Sequence, residues 1–578
     1  MLPSIEQRRS ALRDRRPVWR ERTLDQALVE AAEQWGDRPL VITDDRTLTY
    51  GEVRDLAHRL ADGLATLGVR PGDRVGLLMA NHPEFVPLKF AIAAAGATAV
   101  PFNYLYRRDE LAYVLAQSRV SVLVSMTAFG DLDHLGMLDD IAPGWADGDG
   151  GAALPDLRHV VLLAHDGRTR DGVLDVDGLA ALGAAHPDAR STDGVLPSDV
   201  ADILYTSGTT GSPKGVMVTH DAVLRTSYAT ALTRAFEDGR RILFSLPCYH
   251  MFGYIEGLMG AMEVGGAIIP QTSFSPLGYF AGIERHRASE ILCVPTMTVA
   301  LLEHPTRHDW DLSSLFALLS GAAPAPTWVY ERARQEFGVT EITTGYGMTE
   351  CGGAMTMTRP EDALTMHTTT VGAVKLAGSA GVDDLLCRYV TTDPLTGDVL
   401  PEGGEGELVS WGPTMMLGYW DKPAETDATL RGGRVYSGDL GIVRADGYLQ
   451  VTGRSKELYK SGGELVMPKE IEELLTDQPG VSQAYAVGVP DERWGEIGAV
   501  YVVLEAGGAL TPDDLLEVCR THLARFKVPK HVVLVGADDL PKTPTGKVQK
   551  FRLVQEFRRT HEVTPAEVFA PGDREVTA

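Results

Sequence analysis

The sequence predicts an α/β protein in three parts: a large amino-terminal region of sheets covered by helices, a β-barrel-like stretch, and a small α+β carboxy-terminal region. Three observations carry this. From Thr23 onward, short β-prone runs alternate with segments of helical spacing, the pattern of parallel sheets with helices on their faces. From Ala373 to Gly447 the texture changes to short strands and turns. Beyond Gly453 a new alternation begins and fills about 120 residues, an ordinary domain size. Domains are therefore expected at 1–453 and 454–578.

In chain order, helical spacing covers 24–34, and Leu48-Thr49-Tyr50 leads into a second helix through Leu67. After the Pro71-Gly72 turn, 73–79 reads as a strand, 85–95 as a helix and 97–100 as the next strand, closed by Pro101. Val120-Ser-Val-Leu-Val124 continues the alternation, and the turn-rich residues 143–156 read as a surface insertion. Further strands are expected at 242–246, 266–269, 291–294 and 315–319. In the last region, helices are expected near 468–475 and 513–523, and strands near 484–489 and 499–504.

The composition narrows the function classes. Apolar residues make up 44% and charged residues 23%, ordinary for a globular chain. The net charge of −25 disfavours non-specific binding to nucleic acid or anionic membrane. Cys248, Cys293, Cys351, Cys387 and Cys519 are scattered without a Cys-x-x-Cys pair, which points to a reducing, cytoplasmic compartment rather than a zinc cluster or disulfide framework. No apolar run approaches the roughly 18 residues that a membrane helix needs. Arg8, Arg9, Arg13, Arg15, Arg16 and Arg20 precede no hydrophobic core, so a solvated arm is expected there rather than a secretory signal.

The chemistry concentrates at strand ends. The run 201–205 reads as a buried strand and leads into Tyr205-Thr-Ser-Gly-Thr-Thr-Gly-Ser-Pro-Lys-Gly215. Its glycines permit φ > 0 and close backbone approach, so a nest of N–H donors can form around an anion. The hydroxyls add donors and Lys214 adds charge, which suits a polyphosphate. It is not the common P-loop, because Gly-Lys-Ser/Thr is absent and Pro213 precedes the lysine. Taken alone, the same residues also suit an exposed linker. Other strand ends carry Pro247-Cys-Tyr-His-Met-Phe-Gly-Tyr254, Ser320-Gly-Ala-Ala-Pro-Ala-Pro326 and Ile342-Thr-Thr-Gly-Tyr-Gly-Met-Thr-Glu350. Ligands of α/β sheets bind at the carboxyl ends of strands, so these loops are candidates for one site.

From Asp25 to Phe551 the chain resembles the adenylate-forming (AMP-binding) superfamily, in its acyl-CoA synthetase branch. The resemblance is carried, in order, by 205–215, Tyr346-Gly-Met-Thr-Glu350, Tyr436-Ser-Gly-Asp439, Gly453-Arg-Ser-Lys-Glu-Leu-Tyr-Lys-Ser-Gly-Gly-Glu464 and Pro541-Lys-Thr-Pro-Thr-Gly-Lys547. It implies a ligase in which a carboxylate attacks the α-phosphate of ATP, releasing pyrophosphate, and the thiol of coenzyme A then displaces AMP. ATP, Mg²⁺ and coenzyme A are the implied cofactors. The implied partners are those molecules and a small carboxylic acid, with no nucleic acid and no membrane insertion; a homodimer is left open. Both steps build negative charge, so catalysis rests on positioning and electrostatic stabilisation.

By the same resemblance, Thr206, Ser207, Gly208, Thr209, Thr210, Gly211 and Lys214 would hold the β- and γ-phosphates, and Glu350 with Thr209 would bind Mg²⁺. Thr349 would contact the α-phosphate, Tyr346 with Gly347 would lie against adenine, and Gly321, Ala322 and Ala323 would leave room beside the base. Asp439 would bind the ribose hydroxyls and Arg454 the same nucleotide. Lys547 would neutralise the carboxylate and α-phosphate as they approach. Lys456 matches the hinge on which a mobile small domain swings between two poses. Lys460 is a candidate phosphate contact, Ser461, Gly462 and Gly463 would line the pantetheine tunnel, and His250 would border the acid pocket.

Amino-acid-activating relatives carry an aspartate near the start of the pocket motif; Phe244-Ser-Leu-Pro-Cys248 has none, so an acid without a free amine is expected. Gly257, Gly260, Ala261, Gly352, Gly353 and Ala354 are small, and Met251, Met259, Met355 and Met357 are adaptable, which predicts a roomy apolar pocket for a bulky or long acid. Three departures from the family pattern stand out: Ser437 for threonine, the turn Val371-Gly-Ala-Val-Lys375, and Tyr459 for a smaller aliphatic. A loop shifted by them could weaken one half-reaction and spare the other. An enzyme competent mainly in thioester formation from a supplied adenylate, or a carrier-protein-loading ligase, are therefore alternatives.

Overall fold

The computed structural model describes residues 2–560 except 192–193, 207–212, 324, 395, 455–456, 462–463, 492–494, 506, 524 and 543–546. Two seven-stranded sheets dominate the first part of the chain. One runs Glu341–Thr343, Ala317–Ser320, Glu290–Cys293, Arg241–Phe244, Ala267–Pro270, Pro39–Ile42, Thr47–Thr49, and is parallel except at the last pair. The other runs Gly418–Tyr419, Lys214–Thr219, Val200–Thr206, Thr98–Pro101, Arg74–Leu78, Val122–Met126, His159–Leu163, and is antiparallel only at its first two pairings. Strands such as Ala317–Ser320 and Val122–Met126 are buried at every residue. Burial on both faces is why they read as continuous apolar runs.

The chain divides into two compact units. One comprises Met1–Ser437 and Ile442–Gln450, the other Gly438–Gly441 and Val451 onward. Within the first unit, the β-rich stretch contains an antiparallel ladder joining Arg388–Thr392 to Gly406–Trp411. The second unit is α+β: Val481–Asp491 pairs with Gly495–Leu504, and helices Pro468–Thr476, Pro512–His522 and Lys550–Thr560 supply apolar faces to its two small cores. Tyr459 is buried there. Gly488 and Gly498 face each other across the strand pair, and a Cβ on either would lie 2.3 or 2.4 Å from the tyrosine. The large side chain is thus accommodated by two missing ones.

One sequence expectation is corrected. The arginine-rich amino terminus is no solvated arm. Ile5–Arg15 is a helix with a Ser4/Gln7 capping box, and Arg8 and Arg9 are buried. Arg9 donates to the carbonyls of Leu232 (3.2 Å) and Thr233 (2.8 Å), the last ones of the His220–Thr233 helix, where a cation is favoured. Residues 143–156 are turn-rich and mostly at the surface, as expected, and are anchored by the buried Trp145 and Leu154, with the indole donating to Asp139 at 2.9 Å. The glycine-rich segment after Ile342 forms a strand, Gly345–Met348, paired with Gly353–Met357.

Arg8 is one end of a buried chain of alternating charges. Arg8 and Arg240 both donate to Glu341 Oε2 at 3.2 Å, and Arg240 donates to Glu290 at 3.0 Å. Glu290 accepts from Arg234, which reaches Glu256 at 3.4 Å, and Lys375 meets Glu256 at 2.5 Å. Lys375 is one of the sequence departures, and here it is the counter-ion of a carboxylate.

Candidate active site

Within the first unit, the loops carrying His250 and Gly321 lie at the carboxyl ends of parallel strands. Asn81, following Arg74–Leu78 of one sheet, donates its amide to the carbonyls of Leu246 (3.0 Å) and Gln271 (3.2 Å), and its Oδ1 accepts from Cys248 N–H (2.8 Å). One buried carboxamide thus pins the strand-end loop of the other sheet that carries His250. After that loop the chain enters a wide π-type helix, Phe252–Met259, a form that recurs at functional sites. Buried ion pairs hold this helix. Glu256 meets Lys375 and Arg234, while Tyr254 donates to Asp202 (3.3 Å) on the strand that leads into the phosphate-type loop. Lys89 lies 3.0 Å from the same aspartate.

His250 is half-buried, and its Nδ1 accepts the Phe252 N–H at 3.2 Å. Burial pushes its pKa down to about 4. It is therefore the neutral tautomer with Nε2–H free to donate, and not a cation. Any contribution of that N–H to catalysis should stay flat between pH 8 and 5. A wild-type adenylation profile with an apparent pKa near 6.5, absent in His250→Ala, would show the ring to be titrating and overturn this.

Gly321 and Phe252 approach each other at the end of the Ala317–Ser320 strand. A Cβ on Gly321 would find the Phe252 ring and Gly345 N at 3.7 Å, ordinary contact with room to spare. Ala322 follows in the left-handed region, φ +71°, a strained conformation for a residue with a Cβ, and both Ala322 and Ala323 are exposed. Tyr346 and Gly347 sit on the next strand at a bulge, where Gly347 must lack a side chain because a Cβ would fall 2.0 Å from Gly353 O. Thr349 and Glu350 form the buried turn that follows.

The phosphate-type loop is bracketed by Thr206 and Lys214, directly paired on adjacent antiparallel strands. Ser207, Gly208, Thr209, Thr210 and Gly211 lie outside the described residues. A residue that the sequence reading missed joins the pieces. Tyr419 pairs with Val216, lies 4.7 Å beneath the Lys214 ammonium, and donates its hydroxyl to Glu350 Oε1 at 2.7 Å. Its two-residue strand, Gly418–Tyr419, has no local signal that could have marked it.

In the second unit, Asp439 is buried and Ser461 is buried beside its strand partners Glu464 and Gly495. Lys547 is exposed, next to the Lys542–Val548 bridge. Lys456, Gly462 and Gly463 lie outside the described residues, as do the side chains of Arg454 and Lys460. Lys527 is engaged with Glu470, which accounts for its charge.

The small residues expected to line the acid pocket do not all do so. Gly257 packs: its Cβ would fall 2.6 Å from the Phe244 ring. Gly353, with nothing nearer than 3.7 Å, still offers space.

A family model described as AMP-binding enzyme matches residues 28–420, and one described as AMP-binding enzyme C-terminal domain matches 470–547. A ligase from Mycobacterium tuberculosis named for joining a 7a-methyl-1,5-dioxo-octahydro-indenyl propanoyl group to CoA is 36% identical over 533 residues, 92% of this chain and 98% of the relative. A feruloyl-CoA synthase from an Amycolatopsis species is 35% identical over 511 residues, 88% and 94% of the two chains. The solved anthranilate CoA ligase in complex with anthranoyl-AMP superposes with a TM-score of 0.79 at 25% identity, covering 94% of this chain and 98% of that one.

Proposed function

From the premise that this chain belongs to the AMP-binding enzyme family and is an AMP-forming acid–thiol ligase, we propose that it activates a bulky or long lipophilic acid through an acyl-adenylate, then forms the CoA thioester by domain alternation. Its general reaction is ATP-dependent acyl-CoA ligation. The choice of a large acid is supported by the names of the relatives, an indenyl propanoyl:CoA ligase and a feruloyl-CoA synthase, and by the room at Gly353. A complete ligase is favoured over a thioesterification-only enzyme because each sequence departure has a local partner. Ser437 donates to Leu408 O at 2.6 Å, Lys375 balances Glu256, and Tyr459 fills the space over the glycine pair. The reaction is assigned to the cytoplasm because the five cysteines are scattered with no Cys-x-x-Cys pair; no described helix is long and apolar enough to cross a membrane.

In the adenylation pose, Lys214 with residues 206–211 holds the leaving pyrophosphate, and Tyr346, Asp439 and Arg454 hold the nucleoside. The His250 Nε2–H donates to the attacking carboxylate, Thr349 contacts the α-phosphate, and Lys547 neutralises both anions as they meet. Glu350 fits a hard cation, since Tyr419 engages only one of its carboxylate oxygens; with Thr209 it would hold Mg²⁺, whose charge offsets that of the triphosphate. After rotation about Lys456, Ser461, Gly462 and Gly463 line the pantetheine tunnel, and Lys460 contacts a phosphate of the nucleotide or of CoA. The observation that carries this reading is Tyr419, which brings the phosphate-loop lysine and the Glu350 carboxylate to one ring.

A pyrophosphate-release screen over a panel of acids, with and without CoA, tests it. Release with a large lipophilic acid in the absence of CoA is expected. Faster turnover of acetate than of every large acid defeats the substrate class, and absence of release without CoA favours the second half-reaction alone.

A further inference from the structure

Three potential metal ligands that the proposed reaction does not use converge beyond the ends of the second sheet. His82 and Glu84 lie in the turn between Arg74–Leu78 and the Phe85–Ala94 helix, and His165 lies just past His159–Leu163. Strand Val122–Met126 separates those two strands, so only folding brings the three together and no sequence spacing announces them. One donor atom from each, two imidazole nitrogens and a carboxylate oxygen, lies within 4.8 Å of the others. The two rings are stacked, centroids 4.1 Å apart, and His165 Nε2 is 3.6 Å from Glu84 Oε2. That oxygen is buried and accepts no hydrogen bond, whereas Oε1 is approached by Arg46 at 3.4 Å. A buried carboxylate oxygen without a donor is costly, and a cation would relieve it.

We propose that His82, Glu84 and His165 bind one borderline first-row divalent cation, zinc foremost. Two imidazoles and a carboxylate are the donor set of three-ligand zinc sites that keep a fourth position open. Mg²⁺ and Ca²⁺ prefer all-oxygen shells, so this site is chemically separate from the one at Glu350. Tetrahedral bonds of about 2.0–2.1 Å place ligand atoms about 3.4 Å apart, so the cluster closes by up to roughly 1.4 Å on binding. Because a metal must lie in the plane of each imidazole, one ring must leave the stack. His165, with 47% of its side chain exposed, is the one free to turn. Occupancy then ties the His165 loop to the turn that carries Asn81, the residue that pins the His250 loop.

Cobalt(II) titration of the full-length protein in excess Mg²⁺ tests the site without reference to activity. Visible absorption saturating at one equivalent and displaced by zinc is expected, with affinity falling at least tenfold in both His82→Ala and His165→Ala. His186→Ala, at an exposed histidine outside the cluster, should titrate as the wild type does. His165→Ala removes a half-exposed side chain, and its circular dichroism should match the wild type. No saturable binding, or binding that survives in either cluster variant, overturns the proposal.

Discussion

Lys547→Ala is expected to lower pyrophosphate release from acid and ATP by about 10²–10³-fold, the usual cost of removing one charge-stabilising donor from a transition state. Thioester formation from a supplied acyl-adenylate and CoA should fall less than about tenfold, because the proposed second pose no longer uses this lysine at the reacting atoms. Lys547 is exposed in its own unit, so the substitution leaves no core cavity and a selective loss reports chemistry. Equal losses in both half-reactions would assign the lysine to nucleotide binding instead. Undiminished adenylation would remove it from the mechanism.

The second large effect is on stability. Glu290→Ala should destabilise the first unit by about 3–5 kcal/mol, the range for breaking a buried ion pair by removing one partner. Glu290 is the carboxylate between Arg234 and Arg240, and all three are essentially inaccessible to water. Its loss leaves two guanidiniums sharing too little negative charge. A control is Asp311→Ala, whose partner Arg287 sits in solvent with about half of each side chain exposed; there the denaturant midpoint should move far less than in Glu290→Ala, because solvent screens the pair. Denaturant midpoints of the two variants, followed by tryptophan fluorescence, decide the matter, since seven of the eight tryptophans belong to the first unit. Equal midpoints would mean that the buried chain of charges relaxes by admitting water.

Much of the architecture was legible because burial on both faces leaves its mark on strands. The run expected at 242–246 is the strand Arg241–Phe244, and that expected at 291–294 is Glu290–Cys293. The strand-end loops were legible for the same reason: glycine, hydroxyl and lysine side by side are costly to place inside a sheet and useful beyond its end. What stayed hidden depends on distant partners. Arg8 and Arg9 read as solvated because a charge looks the same in sequence whether or not a carboxylate hundreds of residues away neutralises it. Gly257 read as pocket lining because small residues serve equally to admit a ligand and to admit a neighbouring ring; here Phe244 takes the space. Asn81 and Tyr419 organise the site through single side chains, with no periodicity to betray them.

The helix Ile5–Arg15 also sets a schedule. Arg8 and its carboxylate partner Glu341 are 333 residues apart. At a synthesis rate of about 5–20 residues per second, Arg8 therefore precedes Glu341 out of the ribosome by roughly 17–67 s. During that interval Arg8 lacks its carboxylate even though the His220–Thr233 helix capped by Arg9 has already been made, so the contacts of the amino-terminal helix are completed late in the synthesis of its unit.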